Sequence, residues 1–219
     1  MIGQKCAQVE NEHNSALESY GIPSAAARPA ATPAEAASIA ERLGFPVALK
    51  LRSPDITHKT EVGGVRLGLG SAGEVAEAAT AMLVSVRAAR PDARLEGVLV
   101  QRMAPPGKEL LLGMIRDPQF GPLVVVGFGG IYVEVLKDTA ARLCPLAARE
   151  AHEMLGELRM APLLKGVRGE PPVDLDALAG TICRFAQLAA DTADLAEIEV
   201  NPLVAGPDGV LAVDARARF

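Results

Sequence analysis

Apolar positions along the chain change period repeatedly, and the changes divide it into helices and strands. Residues 33–43 form an alanine-rich amphipathic stretch. It opens on Thr32-Pro33-Ala34-Glu35, a capping box with proline at the first helical position, and ends near Gly44. The helical period returns over residues 73–89, 148–159 and 175–190, and a short helix over 15–20 stops at Gly21 with Pro23 just beyond. Short apolar or alternating runs between them read as strands: 46–51, with Lys50 at its end, then 62–69, 95–103, 110–115, 123–126 and 132–136. Pro105-Pro106-Gly107 predicts a turn that makes 110–115 the returning strand of a hairpin. A last hairpin closes the chain, turning at Ala205-Gly206-Pro207-Asp208-Gly209. Its hairpins join strands directly rather than through helical crossovers, which predicts a mixed α+β fold of two lobes instead of a uniform parallel sheet. The expected division is a tail over 1–14, a first lobe over 15–103 and a second over 104–219.

Bulk properties narrow the function classes. The 219 residues are 49% hydrophobic, enough for a full core, and the net charge of -5 provides no positive field for a nucleic-acid backbone. A small phosphate ligand needs only two or three basic groups in one place, so a nucleotide site stays open. Cys6, Cys144 and Cys183 are far apart and lack zinc-ligand spacing, which fits a reducing cytoplasm. The most apolar stretch, 121–136, is broken by Pro122, four glycines and Glu134, and no basic-then-apolar leader opens the chain. The expectation is a soluble cytoplasmic protein that binds neither nucleic acid nor membrane.

Three segments could carry chemistry. Gly68-Leu69-Gly70-Ser71-Ala72-Gly73 satisfies the dinucleotide pattern G-x-G-x-x-G, but the next strand ends at Gln101 where a ribose-binding acid belongs. Ser71 and Glu74 also form a capping box, which accounts for the same residues without a ligand. The second segment, FPVALKLRSPDITHKTEVGGVRL, combines Lys50, His58 and the Gly63-Gly64 turn in one excursion. Glycines let N–H groups approach phosphate oxygens and lysine adds a point charge, although from composition alone a solvated lysine and a surface histidine are the commoner reading and the glycines could simply turn the chain. In the third, Glu197, Glu199 and Asn201 alternate onto one strand face, and Val210, Ala212 and Asp214 share a face of the return. A hairpin symmetric about Pro207 and Asp208 sets Asn201 opposite Asp214, which suits Mg²⁺. A surface ladder closed by Arg216 opposite Glu199 is the alternative.

These segments, in this order, resemble the β subunit or β-type domain of the ADP-forming acyl-CoA synthetases, relatives of succinyl-CoA synthetase with a two-lobed ATP-grasp fold. The resemblance spans residues 15–219 and rests on SPDITHKTEVGGVRLGL, GVLVQRM, GKELLLGMIRDPQFGP, GFGGIYVEVLKD, LLKGVRG and EIEVNPLV with its late aspartate. It implies ATP/ADP and Mg²⁺ as cofactors, Lys50 as a phosphate contact and Gly63 and Gly64 as a mobile loop. It further implies Gln101, Arg102 and Met103 as the hinge lining adenine, Glu109 as an acidic nucleotide-site residue and Arg142 as a further phosphate contact. Asn201 and Asp214 match the magnesium ligands. His58 matches a second phosphohistidine, which Glu199 could orient. The resemblance also implies a missing half, because no stretch here supplies the CoA-binding domain or the first phosphohistidine. An α subunit or fused domains should carry them, in a hetero-oligomer or a longer chain. The alternative is a non-catalytic nucleotide-sensing module regulating a partner such as an acetyltransferase.

Overall fold

The computed structural model describes residues 14–56, 59–129 and 137–219, and the chain divides into two compact units. The first, Ala25–Met103, contains β1 (Ala27–Ala30), α2 (Pro33–Leu43), β2 (Val47–Leu51), β3 (Val65–Leu69), α3 (Ala72–Ala89) and β4 (Val98–Arg102). Its four-stranded sheet has the order β1-β4-β2-β3 with every pair antiparallel. Both helices start as the sequence dictates. Thr32 Oγ1 accepts from the Glu35 N–H at 3.2 Å and Ser71 Oγ from the Glu74 N–H at 3.3 Å. The two glutamates reach back to the N–H groups of Ala31 and Gly70, each at 2.8 Å. Glu74 thus takes a backbone donor of the G-x-G-x-x-G stretch. The strand before it is antiparallel to its neighbour, so no dinucleotide-binding crossover exists there.

One face of this sheet is apolar. Val47, Leu49, Leu51, Val98 and Val100 join Ile39, Val75, Met82 and Val86 of the helices in a single core.

The second unit contains residues 14–24 and Ala104–Phe219. Residues 14–19 are helical (α1). β5 (Lys108–Asp117), β6 (Gly121–Phe128) and β7 (Thr139–Leu143) precede α4 (Ala148–Glu157), α5 (Ala161–Leu164) and α6 (Leu175–Asp191). β8 (Glu197–Gly206), β9 (Gly209–Ala212) and β10 (Ala215–Arg218) complete a six-stranded sheet ordered β10-β8-β5-β6-β7, with β9 also on β8. Leu110, Leu112, Met114, Val124 and Val126 face Met154, Leu178, Ile182 and Phe185 of α4 and α6 in the second core.

Three expectations change. Residues 15–24, assigned from sequence to the first lobe, pack with the second unit, because Leu17 and Ile22 are fully buried in its core and Pro23 O accepts from the Ala212 N–H at 2.9 Å. β5 does not return along β4. It pairs with β6 and β8, whose longer apolar faces match its own, while β4 stays central in the other sheet. β7 is a strand the sequence reading missed. The strand expected over 132–136 lies outside the described residues.

Candidate functional site

Lys50 and Gln101 are polar residues in two buried central strands, 7% and 2% exposed. The register pairs Lys50 with Leu99 and Ala48 with Gln101, so both side chains leave from one face of the first sheet, away from the helices. Arg102 pairs with Val47, leaves from the opposite face and is exposed. Met103 is fixed by its N–H, which donates to Pro46 O at 3.1 Å. Gly63 ends the 3₁₀ turn Thr60–Val62 with φ of 69°, a left-handed conformation suited to glycine. At Gly64 a Cβ would lie 2.9 Å from Lys59 O, so close backbone approach demands glycine. Both glycine N–H groups donate to backbone oxygens, of Thr60 and Lys59. In this conformation they fold the loop onto itself rather than offering donors to a ligand. His58 lies outside the described residues.

In the second unit the last hairpin has the symmetric register expected. Leu203 pairs with Ala212 and Val200 with Ala215, and between them the Asn201 N–H donates to Asp214 O at 2.9 Å. On the β5 side the register shifts between Leu110 and Leu112, which pair with Leu203 and Val200. Asn201 and Pro202 together therefore oppose Leu111, a β-bulge that turns Asn201 outward. Ile198 and Val200 are buried on the helix side, whereas Glu199, Asn201 and Glu109 lie on the open face.

Asn201 Nδ2 donates to Glu199 Oε1 at 3.1 Å. That donation fixes the amide beside the Glu199 carboxylate. Among the described residues no cluster of three or more His, Cys, Asp and Glu side chains could hold a metal. With Asp214 in register opposite Asn201, the candidate donors are one amide and two carboxylates, all hard oxygen. This small set fits Mg²⁺ that keeps waters and phosphate oxygens in its shell. The ladder between Glu199 and Arg216 does not form, although the two residues are paired in register. Among the described residues the Arg216 guanidinium has neither a hydrogen bond nor an ion pair.

Arg142 is not brought to this platform. It pairs with Val124, a residue of the helix-side core, and its guanidinium binds the Glu157 carboxylate of α4. The two hold each other ionised: Glu157 shifts below the usual carboxylate range and Arg142 upward. Two further polar residues on this side serve structure. Arg116 donates to the carbonyls of Ala189, Thr192 and Leu195, capping the end of α6. Buried Asp138 accepts from the N–H groups of Arg159 at 2.8 Å and Met160 at 2.9 Å, closing the turn after α4. Burial also pushes the Cys144 thiol up to about 11, which leaves it unreactive.

No helix among the described residues is long and apolar enough to cross a membrane. The model of the ATP-grasp domain matches residues 4–219. The chain is 46% identical over 200 residues to the ADP-forming acetate–CoA ligase I of Archaeoglobus fulgidus, covering 91% of this chain and 29% of that protein. It is 43% identical to the β subunit of the ADP-forming acetate–CoA ligase I of Pyrococcus furiosus, covering 95% of this chain and 90% of the subunit. The chain thus spans under a third of one relative and nearly all of the other.

Among solved structures, an acetyl-coenzyme A synthetase of Ca. Korarchaeum cryptofilum in complex with coenzyme A and Ca-AMPCP superposes with a TM-score of 0.92. Its identity is 41%, over 96% of this chain and 92% of that one. The same enzyme with Mg-AMPPCP, its phosphohistidine segment pointing towards the nucleotide-binding site, gives a TM-score of 0.85 at 38% identity, over 96% and 92% of the two chains. With the Mg²⁺-suited oxygen set on the open sheet face, these likenesses identify the chain as a member of the ATP-grasp family, on the branch of the β subunits of ADP-forming acetate–CoA ligases.

Proposed function

We propose that this chain is the nucleotide-binding β component of an ADP-forming acyl-CoA synthetase, acting in acid + CoA + ATP ⇌ acyl-CoA + ADP + phosphate. The observation that carries the reading is the Glu199–Asn201–Asp214 platform, whose register and bulge present hard oxygens on an otherwise open face. Lys50 offsets phosphate charge, Gln101 and the backbone of Arg102 and Met103 line the base, and Glu109 adds an acidic contact. Mg²⁺ bound by Asn201 and Asp214 would neutralise phosphate oxygens during transfer.

His58 receives the phosphoryl group. In the ADP-forming step its N–P bond breaks as a terminal oxygen of ADP bonds to phosphorus, and the electron pair returns to the imidazole nitrogen. The first phosphohistidine and the CoA site belong to an α subunit or to fused domains. A reducing cytoplasm suits the free thiols of Cys144 and Cys183.

The test is to incubate the chain with Mg²⁺ and ATP labelled at its terminal phosphate. An acid-labile, alkali-stable protein label that unlabelled ADP removes is expected, and His58→Ala should abolish it while still binding ATP. A label that survives His58→Ala overturns the role of His58. Nucleotide binding with no label at all favours a sensing module over an enzyme.

A further inference from the structure

Two neighbouring rows of the second sheet carry the same residue types with different results. Arg218 is paired in register with Glu197, and its Nη2 lies 3.1 Å from Glu197 Oε2. Arg216 is paired in register with Glu199, yet the Glu199 carboxylate takes its bond from Asn201 and the Arg216 guanidinium has no partner among the described residues. Equal spacing and equal chemistry should give equal ion pairs. The amide of Asn201 has replaced the guanidinium as the partner of Glu199. An exposed cation with five N–H donors is left on the open face, one row from Asn201 and Asp214.

On the other side of Glu199 the same row continues to Gly113. A Cβ there would meet only Ile198 O, at 3.9 Å, an ordinary contact, and its φ is not left-handed. Neither backbone crowding nor conformation calls for glycine at this position. Its effect is to leave the sheet floor bare beside the acidic platform. An unpaired guanidinium, a hard-oxygen cluster and a bare floor in adjacent positions are complementary to a polyphosphate chelating a divalent cation.

We propose that Arg216 binds a phosphate of the nucleotide held at the Asn201–Asp214 platform, with Gly113 as the floor over which that phosphate lies. This inference rests on the nucleotide-site reading above. The matching arginine one row away, Arg218, belongs to the ladder and takes no part.

The experiment compares Mg·ATP binding by the wild-type chain with that of Arg216→Ala, Arg216→Lys and Arg218→Ala, by calorimetry at several salt concentrations. Arg216→Ala should bind about tenfold more weakly and lose part of the salt dependence. Arg216→Lys should recover part of both, and Arg218→Ala should match the wild type. Melting temperatures should agree across the set, since both arginines are exposed. Wild-type affinity in Arg216→Ala, or an equal loss in Arg218→Ala, would overturn the role of Arg216 while leaving the nucleotide site standing. Failure of the wild type itself to bind Mg·ATP would remove that reading and this inference with it.

Discussion

The two faces of the second sheet draw on the same strands and use their polar residues in opposite ways. On the helix side every notable charge is consumed internally: Arg116 by the carbonyls ending α6, Asp138 by the turn after α4, Arg142 by Glu157. On the open side Glu199, Asn201 and Asp214 are brought together by register alone, and Arg216 is unpaired among the described residues. Alternation along a strand is enough to assign a polar residue to one use or the other. Residue type is not, since arginine occurs in both.

The division can be broken most severely at Arg116. Arg116→Ala should cost about 3 kcal/mol in urea unfolding, because two carbonyls at the end of α6 and one in the loop beyond it lose a charged donor. Mg·ATP affinity of the folded protein should not change. Weaker binding at unchanged stability would place the helix face in the site.

Lys50 extends the comparison to the first sheet, where the candidate cation is buried rather than exposed. Lys50→Met keeps the aliphatic stem and removes the charge, so stability should hold. Mg·ATP affinity should fall on the order of thirtyfold, the loss of about 2 kcal/mol from a charge-assisted contact. A large drop in melting temperature with intact binding would make Lys50 a structural residue.

The smallest effect is a pH dependence on the helix side. Arg142 holds the folded Glu157 carboxyl below its ordinary value of 4.5. The pair therefore stabilises the fold fully above that value and loses its contribution as pH falls through the lower folded pKa. The stability gap between the wild type and Glu157→Gln should be open at neutral pH and close progressively below about pH 4.5. A gap that widens in acid would contradict the sign.

Much of this was legible from residues. The capping boxes at Thr32 and Ser71, the α+β class and the opposition of Asn201 to Asp214 follow from local spacing, and local hydrogen bonds execute them. The partner of β5 was not legible, because a Pro-Pro-Gly turn suits a hairpin and a passage between units alike; only the burial of Leu110, Leu112 and Met114 against α6 decides it. Arg142 was drawn towards the site by resemblance. Its strand, β7, had not been recognised, so no alternation was available to place it on the helix side. The bulge at Asn201 was equally hidden, since it depends on pairing with a strand about ninety residues away in sequence.

The central claim is that the open face holds the nucleotide through a divalent cation, and calorimetric titration of the chain with ATP, with and without Mg²⁺, in the wild type and in Asp214→Ala tests it most directly. The account predicts tight binding only for the wild type with Mg²⁺, with the variant reduced at least tenfold and indifferent to the metal. Equal Mg²⁺-dependent affinity in both proteins would contradict it.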